Sequence, residues 1–150
     1  LAGVIGSKIA SELGNMRVSE QIDALEIMGI NTKTFLILPK IVAAVIVIPM
    51  LIVLSMVLGI WGGRLAGDLS NILSSATFDI GLMQNFIPFN VFFALVKAYT
   101  FAFIISSVSA FYGYYVKGGA LEIGKSSTKS VVVSCVVILL ADYLLAALLL

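Results

Sequence analysis

Residues 41–63, IVAAVIVIPMLIVLSMVLGIWGG, run without one charged side chain. A helix needs about 20 predominantly apolar residues to cross a hydrocarbon core of about 30 Å. In lipid no water pairs with backbone N–H and C=O groups, so the chain must satisfy them itself, as a helix does. This stretch therefore predicts a membrane-spanning helix, and with it an all-α membrane protein. Pro39 and Lys40 open the span (39–63), Pro49 marks an expected kink, and Trp61 falls near the far interface. Gly59, Gly62 and Gly63 at its end serve either close helix packing or termination.

Two further spans are expected on the C-terminal side, at 91–115 and 131–150. The first of these ends in Phe111, Tyr112, Tyr114 and Tyr115, an aromatic set suited to a membrane interface. Between the spans, residues 64–90 are rich in Ser, Asn and Asp and close on Pro88, which predicts an outer loop carrying short helices. Residues 116–130, VKGGALEIGKSSTKS, read as a basic, glycine-rich loop. Residues 1–38 are mixed in polarity and predict a helical segment outside the bilayer. Within it Ser19, followed by Glu20, Gln21 and the helix-forming run DALEIM, predicts an N-cap near Ser19 and a stop at Gly29. The product is a short amphipathic helix.

Composition agrees with that architecture. The chain is 61% hydrophobic and 11% charged, against about 45–50% and about 25% in soluble domains, which excludes a soluble globular domain. A net charge of +1 gives no footprint for nucleic acid. With no histidine and with Cys135 alone in an apolar run, neither a disulfide nor a metal site is expected from this chain by itself. Cys135 reads as a small packing residue. An intramembrane enzyme is disfavoured, because no Ser/Lys or Asp/Asp constellation occurs at useful spacing. The chain starts at Leu1 with residues that resemble the inside of a helix, so a fragment of a longer protein is expected.

Lys and Arg give the orientation. Three spans place residues 1–40 and 116–130 on one side, with Lys8, Arg17, Lys33, Lys40, Lys117, Lys125 and Lys129, and leave Arg64 alone on the other. The positive-inside rule then makes the first side cytoplasmic and puts the 64–90 loop outside. A polar helix on the cytoplasmic face, just before a span, suits two roles. It can insert its apolar residues into a groove of a soluble partner, or it can rest on lipid headgroups, although acidic Glu20, Asp23 and Glu26 oppose an anionic membrane surface.

The run from Glu12 to Gly29, ELGNMRVSEQIDALEIMG, closely resembles the hallmark segment of MlaE-type permeases, the membrane subunits of ABC transporters that move phospholipids between the two membranes of Gram-negative envelopes. The likeness continues through Pro39-Lys40, Gly59-Ile60-Trp61-Gly62-Gly63, Val96-Lys97-Ala98 and Gly124 to Val132, so it covers nearly the whole chain. One departure is Gly3-Val4-Ile5-Gly6, where the family often has Gly-Arg-x-Gly. The family usually has an interfacial helix and two further spans before this point.

The resemblance implies a single ABC permease domain in a multi-pass inner-membrane protein, acting as a homodimer in ATP-driven phospholipid transport that maintains outer-membrane lipid asymmetry. Its implied partners are cytoplasmic ABC ATPase subunits, a periplasmic lipid-binding ring subunit, phospholipid and the membrane. It makes the amphipathic helix a coupling helix, with Arg17, Glu20, Gln21, Asp23, Ala24, Leu25, Met28 and Gly29 as the ATPase-coupling residues. No cofactor is expected here. ATP binding and hydrolysis fall to the partner, and no phosphate-binding loop is expected in this chain. A non-transporting membrane anchor or assembly subunit is the alternative.

Two charges inside spans remain. Lys97 and Asp142 lie at similar depth, roughly 10–12 Å below the outer interface at about 1.5 Å per residue, and are close enough to meet. Intramembrane charges face a partner or a wet cavity. Three readings stay open: an ion pair locking two helices, Lys97 attracting a lipid phosphate with Asp142 tuning it, or Lys97 snorkelling outward. Tyr99 and Phe103 join these two as lipid-path candidates. Like Phe92, Phe93 and Phe101, they either line an acyl-chain cavity or are ordinary lipid-facing positions.

Overall fold

The computed structural model describes residues 1–149 and is helical throughout its elements, with no strand among the described residues. A π-helical turn, Ala2–Gly6, leads into α1 (Ser7–Val18), followed by α2 (Gln21–Ile27). A second π-helical turn, Lys33–Ile37, leads into the long α3 (Leu38–Leu69), and α4 (Ser75–Gln84), α5 (Pro88–Tyr114) and α6 (Ala120–Leu149) complete the chain. Three helical stretches, Lys33–Leu69, Pro88–Tyr114 and Ala120–Leu149, are long and apolar enough to cross a membrane.

Local chemistry explains several boundaries. Pro88 occupies the first turn of α5, where its missing N–H goes unmissed, and Ile87 before it is extended (φ −109, ψ 112), as a residue preceding proline prefers. Ser74 caps α4, its Oγ accepting from the Thr77 amide at 3.4 Å. Arg64 and Asp79 pair at 3.0 Å, and the Ser75 amide donates to Asp68 Oδ1 at 3.3 Å. Both outer-loop aspartates are thus engaged inside the chain.

Several expectations are corrected. Gly62 and Gly63 do not end the first span: α3 continues to Leu69, and a Cβ at Gly59 or Gly62 would meet nothing within 4 Å. The loop expected at 116–130 is mostly helix, because α6 starts at Ala120 and only the turn around Gly118 (φ 118) is irregular. Ser127, Ser130 and Ser134 form one buried face of α6, since small polar residues spaced three and four apart align on a helix and can hide their hydroxyls against neighbours. Leu150, the last residue of the expected third span, lies outside the described residues. Cys135 is exposed on α6 rather than packed.

Residues 1–18, expected outside the bilayer with the rest of 1–38, contact the helices of the bundle. They pack within it: Ile9, Ala10, Leu13 and Gly14 are buried, and Ile5 packs against the cluster of Ala44, Ile48 and Ala102. Val4, at the position where the related family often has Arg, is 73% exposed. The closest approach is between α1 and α5. A Cβ added at Gly113 would lie 2.6 Å from the Ala10 carbonyl oxygen and 2.9 Å from Ala10 Cα, so the two backbones touch through a missing side chain. Among the described residues few side chains are fully buried. Outward-facing Val, Ile and Leu dominate α3 and α6, as lipid contact requires.

Gly113→Ala forces α1 and α5 apart, an overpacking cost of about 1–3 kcal/mol. A lowered thermal midpoint in detergent is expected for Gly113→Ala, and none for Gly3→Ala, whose Cβ would meet nothing within 4 Å.

Candidate functional site

The amphipathic helix is built from two chain reversals. α1 closes at Ser19, whose Oγ donates to the Asn15 carbonyl at 2.8 Å. Ser19 therefore finishes α1 rather than capping α2, and the residue before α2 is Glu20, held in the left-handed region (φ 61) with no side-chain cap. At the other end the sequence reading agrees with the structure. Gly29 (φ 77) lets the Ile30 amide reach back to Leu25 O at 3.1 Å and its own amide to Glu26 O at 3.0 Å, the paired bonds of a glycine-terminated helix.

α2 is fastened to the bundle by one apolar and one polar anchor. Ile22 is fully buried. Arg17 of α1 pairs with Asp23 at 3.0 Å and stands 3.9 Å from Glu26. The Tyr114 hydroxyl, at the end of α5, donates to Glu26 Oε1 at 3.0 Å, and the Thr32 hydroxyl lies 3.2 Å from that carboxylate oxygen and 2.8 Å from the Tyr114 oxygen. The Arg17 guanidinium also lies over the Tyr114 ring, 5.6 Å from its centroid. Thr32 and Tyr114 are buried, so these bonds are sheltered from water. Lys40 at the start of α3 reaches back to Glu12 at 2.8 Å.

The eight expected coupling residues consequently divide. Glu20, Gln21, Ala24, Met28 and Gly29 are exposed. Arg17, Asp23 and Leu25 are partly buried, with Arg17 and Asp23 turned toward each other. Ile27 is 87% exposed, an apolar side chain left in the open beside Met28. The meeting of Glu26, Thr32 and Tyr114 was not read from the sequence. Their partners are 88 and 82 positions apart along the chain, and no local pattern marks such a pairing.

In the span region, Lys97 Nζ and Asp142 Oδ1 are 2.6 Å apart, joining α5 to α6. Of the alternatives, the pair forms. Its side chains remain 24% and 46% exposed, and Lys97 Nζ lies 4.5 Å from the Phe93 ring centroid. Beside Asp142, a cavity of about 500 Å³ opens between α5 and α6, lined by Tyr99, Thr100, Phe103, Ile104, Ala141, Leu144 and Leu145. Tyr99 also borders a second apolar hollow of about 340 Å³ against α3, with Pro49, Met50 and Val53 in its wall. A charged pair thus stands next to apolar space of acyl-chain character.

One string invites a different chemistry. Gly119 to Ser126, GALEIGKS, matches the spacing Gly-x-x-x-x-Gly-Lys-Ser of a phosphate-binding loop, which corrects the expectation that no such spacing occurs. That chemistry needs a glycine-rich loop between strand and helix, with free amides. Here Ala120 to Ser126 are already helix, Ser126 Oγ donates to the Tyr112 carbonyl at 2.7 Å, and Lys125 pairs with Glu122 at 2.8 Å.

A family model described as Permease MlaE matches residues 1–148. The chain belongs to the MlaE permease family. Among its relatives, a protein of Rickettsia bellii named probable ABC transporter permease protein is 40% identical over 148 residues, covering 99% of this chain and 57% of the relative. The Haemophilus influenzae protein named intermembrane phospholipid transport system permease protein MlaE is 32% identical, covering 97% of this chain and 56% of the relative. The plant protein trigalactosyldiacylglycerol 1, chloroplastic, of Arabidopsis thaliana is 33% identical over 147 residues, covering 98% of this chain and 42% of the relative. The chain therefore spans a little over half the length of these bacterial MlaE-family relatives.

Two outcomes test the geometry. Tyr114→Phe removes the buried donor to Glu26 and is expected to cost about 1–3 kcal/mol, read as faster amide hydrogen exchange across Gln21–Ile27 with α6 unaffected. Lys97→Met and Asp142→Leu are each expected to lower the thermal midpoint more than the double substitution does, because a single change leaves one intramembrane charge without its partner.

Proposed function

We propose that this chain is the portion of an ABC transporter permease that couples ATP hydrolysis in a separate cytoplasmic subunit to phospholipid movement between the inner and outer membranes. The observation that carries the reading is α2. It is a short helix clamped to α1 and α5 through Arg17, Glu26 and Tyr114, while Gln21, Ala24, Ile27 and Met28 stay open to a partner. A helix held this way transmits a push as a rigid body to α5, because both its ends and its inward face are tied. The basic end of the bundle, which carries α2, is the cytoplasmic end under the positive-inside rule. The printed name of the Haemophilus relative supports phospholipid as the cargo.

In this reading the permease sits in the inner membrane as a homodimer with two ATPases and a periplasmic lipid-binding ring, and serves outer-membrane lipid asymmetry. Lys97 attracts the lipid phosphate, Asp142 holds it in place between turnovers, and Tyr99 and Phe103 receive an acyl chain in the cavity they line. Lys97 is matched to this role by its partial exposure beside apolar space. The permease does no covalent chemistry.

The test uses the full-length protein with its ATPase in proteoliposomes. Ala24→Arg, which sets a bulky cation on the open face of α2, is expected to abolish ATPase co-purification. Glu20→Ala is expected to leave the ATPase bound but lower the lipid moved per ATP by about tenfold, the effect of one interface contact worth about 1.4 kcal/mol. Unchanged assembly and unchanged transport in both variants would make this an anchor subunit instead. Lys97→Ala is expected to reduce co-purified phospholipid, and undiminished lipid together with undiminished transport would remove Lys97 from the path.

A further inference from the structure

The basic end of the bundle carries a second feature, whose lining includes neither Lys97 nor any residue of α2. Where α5 ends and α6 begins, Phe111, Tyr112, Tyr115, Lys117, Lys125 and Lys129 surround a groove of about 470 Å³, within the range of about 300–1,000 Å³ typical of small-ligand sites. We propose that this groove binds the headgroup of an anionic phospholipid in the leaflet at the basic end, with the phosphate held by Lys129 and Lys117. The proposal is independent of whether Lys97 handles transported lipid.

Three observations converge on that occupant. The first is charge. Lys125 is neutralised by Glu122, which also borders the groove, but Lys117 and Lys129 have no carboxylate within ion-pair distance among the described residues. Two uncompensated cations remain to be answered. The second is depth. Lys129 stands two positions before Val131, where the apolar run of α6 begins, and Lys125 four positions earlier on the same face. At about 1.5 Å per residue they sit roughly 3 and 9 Å outside the apolar run, at headgroup level. The third is the wall. Phe111 and Tyr115 are more than half exposed and lead from the groove onto the apolar flank of α5, giving an acyl chain a continuous surface. Lys129 Nζ lies 5.7 Å from the Tyr112 ring centroid, which orients the ammonium at the groove while leaving its hydrogens free for phosphate oxygens. Basic pockets between membrane helices favour anionic headgroups for these same reasons.

Lipid adducts on the full-length complex in neutral detergent, read by native mass spectrometry, test the proposal, with phosphatidylglycerol and phosphatidylcholine as the two probes. The wild type is expected to retain phosphatidylglycerol preferentially. Lys129→Gln and Lys117→Gln are each expected to lower that preference roughly fivefold, and the Lys117→Arg/Lys129→Arg protein is expected to keep it. Lys33→Gln, at the same end but away from the groove, is expected to leave it intact. Equal retention of the two lipids would overturn the proposal. So would an equal loss in Lys33→Gln, which would make the effect diffuse surface charge, or displacement of the lipid by millimolar inorganic phosphate, which would make this a free-anion site. Where the Gln variants fail to assemble, the wild type in vesicles decides. Amine labelling of Lys117 and Lys129 is expected to slow when phosphatidylglycerol replaces phosphatidylcholine, and equal labelling rates would reject the site.

Discussion

The approach of Ala10 to Gly113 organises the rest of the molecule. Because position 113 has no Cβ, α1 lies backbone to backbone on α5, and Arg17, seven positions after Ala10, lies over the ring of Tyr114, one position after Gly113. In lipid there is little hydrophobic drive for helices to associate, so contact area between small residues and satisfied polar groups must supply it. Gly6 beside Ser109, Gly14 beside Ile123, and the buried serines of α5 and α6 extend the same mode of packing along the bundle.

On that platform the polar network at the basic end acquires its mechanical character. Glu26 receives a hydroxyl from Tyr114 and stands near Arg17, so α2 is tied simultaneously to the helix before it and to the end of a span. Surface ion pairs such as Arg17 with Asp23 contribute little alone, because water and salt screen them. The buried Tyr114 and Thr32 hydroxyls change that balance, since both bond the Glu26 carboxylate and would lose that partner if α2 moved independently. Displacing α2 therefore displaces α5 as well, which is the property a force-receiving element needs.

The Lys97–Asp142 pair answers a different constraint. An unpaired charge among apolar helices is expensive, and pairing lowers the cost without removing it. Evolution of a purely structural lock would be served as well by apolar packing. The pair stays partly exposed, and the apolar cavity between α5 and α6 is lined by Ala141, the residue before Asp142. Lys117 and Lys129 stand at the opposite end of the bundle, on the groove at the start of α6.

Helical spans and the stop at Gly29 were legible in the sequence, because each follows from local rules: lipid demands self-paired backbone, and glycine accepts positive φ. The depth match of Lys97 and Asp142 was legible too, since rise per residue is constant along a helix. Polarity did not reveal that residues 1–18 pack on the long helices, because Ser, Gly and Ala look hydrophilic or neutral in composition yet are what close helix packing uses. It likewise hid the first turns of α6 inside an apparent basic loop. Which groups meet across the bundle, Glu26 with Tyr114 and Thr32, or Lys129 with Tyr112, depended on helix register and separation, and these are set by contacts between residues far apart in the chain that no local pattern encodes.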